Sequence, residues 1–128
     1  KFVMMNLEGF DALEKTSFSG DDKKIIKDLE KFVKDATKDM ENFRYYAAGE
    51  KIYHYFWHTF ADKIIEAAKP RLKSENSQDK TSCQRLLLEI LTTNLKLLHP
   101  FMPFITEEIY QKLPIPDKKL LMIEKWPI

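Results

Sequence analysis

The most constraining feature of this chain is a break in its most apolar stretch. Leu86 to Leu98 is dominated by leucine and isoleucine, then meets Pro100 and Pro103 before an amphipathic segment resumes at Phe104. Proline donates no hydrogen bond and its ring clashes with the preceding turn, so the first helix is expected to end near Leu98. Pro103 suits the first turn of a new helix, where a missing N–H costs nothing. Phe101 and Phe104 flank this corner and are expected to wedge into the core. The segment before the corner is apolar around most of its circumference, which places it at the centre of a bundle. After the corner, a short helix is expected to end before Pro114, followed by a strap from Leu120 to Ile123.

Upstream, the helical period is clear from Lys23 to Phe43. Ile25, Ile26, Leu29, Phe32, Val33, Ala36, Met40 and Phe43 recur at three- and four-residue steps, with Asp21 or Asp22 available as a cap. Lys24, Lys27, Lys31, Lys34 and Lys38 line the other side, with Lys23 at its margin and Asp28, Asp35 and Asp39 alongside. Such a face is either a solvated surface laced with weak ion pairs or a cationic ridge beside an RNA backbone. The next helix is expected from about Tyr46 to Lys69, burying Tyr46, Tyr53, Phe56, Trp57, Phe60, Ala61, Ile64 and Ala68, and ending at Pro70. Arg71 to Lys80 reads as a polar loop, and Thr81 with Gln84 as a capping box for the apolar helix. Phe2 to Leu7 reads as the last turns of a helix stopped by Gly9, with Phe10 to Gly20 a connector.

The expectation is therefore an all-α bundle of four main helices with a short C-terminal strap, one domain over 1–128. The chain has 128 residues and 44% hydrophobic content, enough for a sizeable core, and only three glycines. A net charge of +1 argues against non-specific polyanion binding, so any nucleic-acid contact must be a local patch. The lone cysteine, Cys83, excludes an internal disulfide and suits a reducing compartment. No apolar run reaches the roughly 18–20 residues of a membrane span, and no signal peptide is evident. With no initiating methionine, the chain reads as an excised fragment.

Chemistry-bearing residues are sparse. His54, His58 and Asp62 share a helix face at metal-ligand spacing, but no further ligand accompanies them, and a polar rim is the expectation rather than a metal site. His99 at a helix end can bond the last free carbonyls. Glu107 and Glu108 point apart and complement a helix N-terminus. Lys69, Arg71 and Lys73 suit either phosphate or the end of a helix, with a structural role favoured. No catalytic constellation is present. Arg44 and Tyr45, at a helix junction, could stack and bond unpaired RNA bases, or Tyr45 could pack while Arg44 pairs with Glu41.

The words Leu97-Leu98-His99-Pro100-Phe101-Met102-Pro103-Phe104-Ile105-Thr106-Glu107-Glu108-Ile109-Tyr110 resemble the anticodon-binding helical domain of the class I synthetases for valine, isoleucine and leucine. Tyr53-His54-Tyr55-Phe56-Trp57-His58-Thr59-Phe60-Ala61-Asp62, with Glu66 to Leu72, resembles the valyl-tRNA synthetase family most closely. Phe2 to Gly9 and Leu121 to Pro127 fit it in order and spacing. The resemblance implies recognition of the anticodon arm of a valine tRNA, within a cytoplasmic ATP-dependent ligase. Arg44 and Tyr45 stand where that family meets anticodon bases, phenylalanine being common at the latter position. Lys23, Lys24, Lys27 and Lys31 would meet phosphates. The ATP-holding motifs of class I catalytic domains, resembling His-x-Gly-His and Lys-Met-Ser-Lys-Ser, do not occur. ATP, magnesium, catalysis and editing are thus expected in a parent protein whose catalytic domain is a partner, with no membrane contact. The alternatives are the matching domain of an isoleucyl or leucyl enzyme, or a helical protein–protein module.

Overall fold

The structure is a computed structural model that describes residues 20–73, 77–115 and 118–127. The expected helix over Phe2 to Leu7 and most of its connector lie outside the described residues. Helix α1 spans Gly20–Glu41. A second continuous rod, α2, comprises Tyr45–His54, a π-helical stretch Tyr55–Ile64, and Ile65–Leu72. Helix α3 spans Ser77–Leu98, α4 spans Pro103–Gln111, and a single 3₁₀ turn covers Leu121–Ile123. No strand occurs among the described residues. The all-α bundle of four main helices with a terminal strap is thus the observed architecture.

Helix α3 is the axis. Cys83, Leu86, Leu87, Ile90, Leu95 and Leu97 are all buried, so apolar residues meet neighbours on nearly every side. Each such side chain withdrawn from water contributes roughly 1.5–3 kcal/mol before entropy is counted. The larger core joins Leu86, Leu87, Ile90 and Leu95 to Leu29 of α1, Tyr55, Phe60 and Ala68 of α2, Tyr110 of α4, and Leu121 of the strap. A smaller one gathers Val33, Ala36, Ile52 and Leu97, with Trp126 against it. Phe32 and Tyr55 stack nearly parallel, centroids 4.2 Å apart, between α1 and α2. Burial pushes the Cys83 thiol up to about 11, so it is an inert core group.

The π-helical stretch changes which residues α2 buries. Its bonds skip five residues, as in Ile65 N–H to the Phe60 carbonyl. The inward positions are therefore Ala48, Ile52, Tyr55, Phe60, Ala68 and Leu72, with a five-residue step between Tyr55 and Phe60. Tyr46, Tyr53 and Trp57, expected on the apolar face, are 82%, 61% and 50% exposed. An unbroken α-helical period mispredicts them because the wide turns rotate everything on their N-terminal side.

Three boundaries also differ. Pro70 lies inside α2, because the backbone bond it removes falls in the last turn, where buried Ala68 and Leu72 hold the chain. Helix α3 starts at Ser77, four residues before the expected Thr81 cap, with Asp79 in its first turn. Asp22 lies within α1 rather than ahead of it; it is buried and receives Arg71 at 2.7 and 3.0 Å, while Arg71 also reaches Asp79 at 2.9 Å. Those hydrogen bonds, that to Asp22 foremost, raise the Arg71 pKa and clamp the ends of α1, α2 and α3 together.

The proline corner forms where expected. The Leu98 carbonyl accepts the amides of Phe101 and Met102, each at 2.9 Å, and Pro103 opens α4. His99 bonds across the corner rather than to the carbonyls of α3: its Nδ1 lies 2.9 Å from Thr106 Oγ1. That hydroxyl donates to the Met102 carbonyl at 2.8 Å, so the imidazole N–H is the donor in the pair. Phe101 and Phe104 do not enter the core, being 38% and 90% exposed. The inward positions of α4 are Thr106, Tyr110 and, beyond its end, Leu113, which leaves Phe104 on the outer face.

The strap is anchored by polar bonds. Glu107 Oε2 accepts the Leu121 amide at 2.7 Å, and the Trp126 indole donates to Thr37 Oγ1 of α1 at 2.7 Å. Lys118 Nζ meets the Leu113 carbonyl at 2.7 Å and that of Gln111, closing the end of α4. Glu107 therefore secures the strap, while Glu108 reaches Lys112 at 3.4 Å.

Candidate nucleic-acid interface

Helix α1 ends in a tight reversal that builds the site. Phe43 N–H bonds the Met40 carbonyl at 3.1 Å and Arg44 N–H bonds that of Asp39 at 2.8 Å. This paired pattern is the Schellman ending, which needs a left-handed residue after the cap. Phe43 fills it, with φ of 61°. The chain then turns into α2 with Arg44 as its N-cap residue.

At this junction Arg44 and Tyr45 face solvent: the Arg44 side chain is 55% exposed and Tyr45 is 50% exposed. Arg44 pairs not with Glu41 but with Asp39, Nε at 3.0 Å and a terminal nitrogen at 2.9 Å from Oδ1. Asp39 Oδ2 lies 2.6 Å from Lys51 Nζ. The sequence pattern put Asp39 in a solvated acidic row, yet it is buried, since it sits where α1 meets the head of α2. The bond from Lys51, followed by that from Arg44, holds its carboxyl below the usual range against the effect of burial. One carboxylate thus orients two cations whose outer surfaces remain open.

Behind this rim an open groove of about 1090 Å³ runs between α1 and α2, with Tyr45, Tyr46, Tyr53 and Phe101 among its aromatic lining and both signs of charge on its walls, Lys31 and Lys51 beside Asp28, Asp35 and Glu50. Gly49 forms its floor beneath Phe101, whose ring would lie 3.4 Å from an added Cβ. Phe43 and Tyr45 meet edge-to-face at 6.2 Å. Lys31 lines the groove, whereas Lys23, Lys24 and Lys27 continue the exposed ridge away from it. At 1.5 Å rise per residue, Lys27 and Lys23 stand about 18 and 24 Å along the axis from Asp39. Among the described residues no Lys–Asp ion pair forms along α1.

Lys51, Phe43 and Tyr46 belong to this rim and were not singled out from sequence as site residues. Lys51 was detectable, being seven residues from Arg44 and so on the same helical face. Phe43 was masked by its fit to the apolar stripe of α1, although it is 78% exposed. His54 and His58 lie with rings 4.8 Å apart, and His58 Nδ1 is 3.6 Å from Asp62. No trio of metal-ligating side chains gathers among the described residues. Of the other basic cluster, Arg71 is committed to Asp22 and Asp79, and Lys69 reaches Glu66 at 2.6 Å. No described helix is long and apolar enough to cross a membrane.

The chain is 42% identical over 127 residues to the valine–tRNA ligase of Thermotoga maritima, covering 99% of this chain and 14% of that protein. It is 40% identical over 130 residues to that of Petrotoga mobilis and 39% identical over 135 residues to that of Fusobacterium nucleatum. These alignments cover 99% and 100% of this chain and 15% of each relative, so it spans about one-seventh of their length. The family model described as the anticodon-binding domain of tRNA ligase matches residues 22–128. With the helical bundle, that match settles the family: the chain belongs to the anticodon-binding domains of tRNA ligases.

Proposed function

We propose that this chain grips the anticodon arm of a valine tRNA as part of a valine–tRNA ligase. The observation that carries the reading is the solvent-facing Arg44–Tyr45 pair at the mouth of a groove. A guanidinium plane and a phenol supply the stacking surfaces and edge donors with which unpaired bases are read. Lys31, at the groove, and Lys27, Lys24 and Lys23 beyond it would neutralise phosphates, which position RNA without choosing it. All the relatives named above are valine–tRNA ligases, which favours valine over isoleucine or leucine tRNA.

The cytoplasmic aminoacylation reaction, with its ATP and magnesium, is assigned to the rest of such an enzyme. The domain contributes affinity and register. Titration of a valine-tRNA anticodon stem-loop tests this. Arg44→Ala with Tyr45→Ala should abolish discrimination against an anticodon variant, whereas Lys27→Ala should weaken both RNAs alike and flatten the salt dependence by about one phosphate contact. Equal loss of both RNAs in the first variant refutes base readout. Binding of a protein rather than RNA, insensitive to salt, would favour an interaction module.

A further inference from the structure

We propose that Phe43 is a base-stacking residue of this interface, holding one unpaired base of the bound RNA loop on its open ring face. The proposal rests on the reading above that loop RNA binds at this rim. Two observations single Phe43 out, and each is unfavourable for stability. Its φ of 61° lies in the left-handed region, where a Cβ crowds the following carbonyl and glycine is the ordinary occupant. Its ring is also 78% exposed, so it withdraws little apolar surface from water. The Schellman bonds to Asp39 and Met40 need the backbone conformation but not the ring. A glycine would make the same turn at lower cost.

What the ring does have is position. It contacts Tyr45 edge-to-face with centroids 6.2 Å apart and an 80° angle between planes, while most of its own surface stays open to solvent. The turn fixes it immediately before Arg44, whose guanidinium is held by Asp39. Two aromatic planes nearly at right angles, beside an oriented cation, form a corner into which a splayed base fits with its edge toward arginine. Duplex RNA, with its bases already stacked, offers nothing to that corner.

The decisive experiment compares Phe43→Gly, Phe43→Leu and Phe43→Trp in the full chain. The probes are a valine-tRNA anticodon stem-loop and the same stem closed by an unrelated tetraloop. Phe43→Gly should raise the thermal midpoint by a few degrees while weakening the stem-loop on the order of tenfold. Phe43→Trp should keep wild-type affinity; Phe43→Leu, equally apolar but without a planar ring, should bind as weakly as the glycine variant. The tetraloop hairpin should not distinguish the variants. Unchanged stem-loop affinity in Phe43→Gly, full affinity in Phe43→Leu, or a lowered midpoint accompanying the loss each overturns the proposal. Failure of the wild-type chain to bind the stem-loop overturns the anticodon reading, and this proposal with it.

Discussion

Asp39 Oδ1 lies 2.9 Å from an Arg44 terminal nitrogen while its Oδ2 lies 2.6 Å from Lys51 Nζ, so a single buried carboxylate sets the aim of two exposed cations on the next helix. The relationship separates electrostatics from positioning, because the two make opposite predictions for its removal. Deleting a negative charge beside an RNA site should strengthen binding if charge alone matters. If Asp39 acts by orienting Arg44, Asp39→Ala should weaken the anticodon stem-loop about fivefold and erode discrimination between anticodon variants. Asp39→Asn should recover part of that discrimination by keeping one acceptor for Arg44. The carboxyl titrates below its ordinary 3.8, so the clamp is fully present above that pH and is lost as pH falls through the lower folded value. Affinity measured against pH should therefore hold steady down to about pH 4 on this account.

The Arg71–Asp22 pair gives a stability prediction independent of the RNA site. Asp22 is 1% exposed and the Arg71 side chain 25%, so removing the arginine takes from a buried carboxylate the cation bonded to both its oxygens. Arg71→Ala should cost about 2–4 kcal/mol, toward the lower end because the guanidinium is partly hydrated. Asp22→Ala should cost less, since Arg71 keeps Asp79 at 2.9 Å. Replacing both, Asp22→Leu with Arg71→Met, should recover most of the loss, as apolar substitutes for buried pairs often do. Urea denaturation of the four proteins measures this; equal losses in the two single variants would contradict it.

Tyr55 predicts an alkaline limit. Burial, with a smaller contribution from Asp28, pushes its phenol up from 10.0 to about 12. The unfolded chain gives up this proton near its ordinary pKa while the folded one retains it, so unfolding is favoured as pH rises. The contribution is fully present below about pH 10 and is lost as pH climbs to about 12. Tyr55→Phe should flatten the decline in thermal midpoint across that window while keeping the stack on Phe32. A wild-type decline unchanged by the substitution would assign it to other groups.

The core was legible in the sequence because it follows simple periods. The stripe Leu29, Val33, Ala36 and the nearly all-round apolar face of α3 bury as the pattern requires, and Pro100 and Pro103 make the corner. Arg44 and Tyr45 stand exposed at the helix junction where the sequence pattern put them. What escaped depends on geometry that composition does not encode. Phe43 fits the period of α1 but falls one residue past its cap, where the backbone turns left-handed. Asp39 looks like a surface acid until α2 folds back over it. Tyr46, Tyr53 and Trp57 follow an α-helical period that the π-helical stretch does not share. His99 was expected on local carbonyls because Thr106 becomes a neighbour only after the corner closes.

The wide turns of Tyr55–Ile64 separate the azimuth of the interface from its chemistry. Everything N-terminal to them, Arg44 through Tyr53, is phased against the bundle by the residues they absorb. Winding the same residues as an unbroken α-helix would swing the whole rim around the axis, by about 100° for each residue the wide turns absorb, without altering any side chain in it. The winding of that stretch thus sets the direction in which the rim faces, independently of which groups the rim carries.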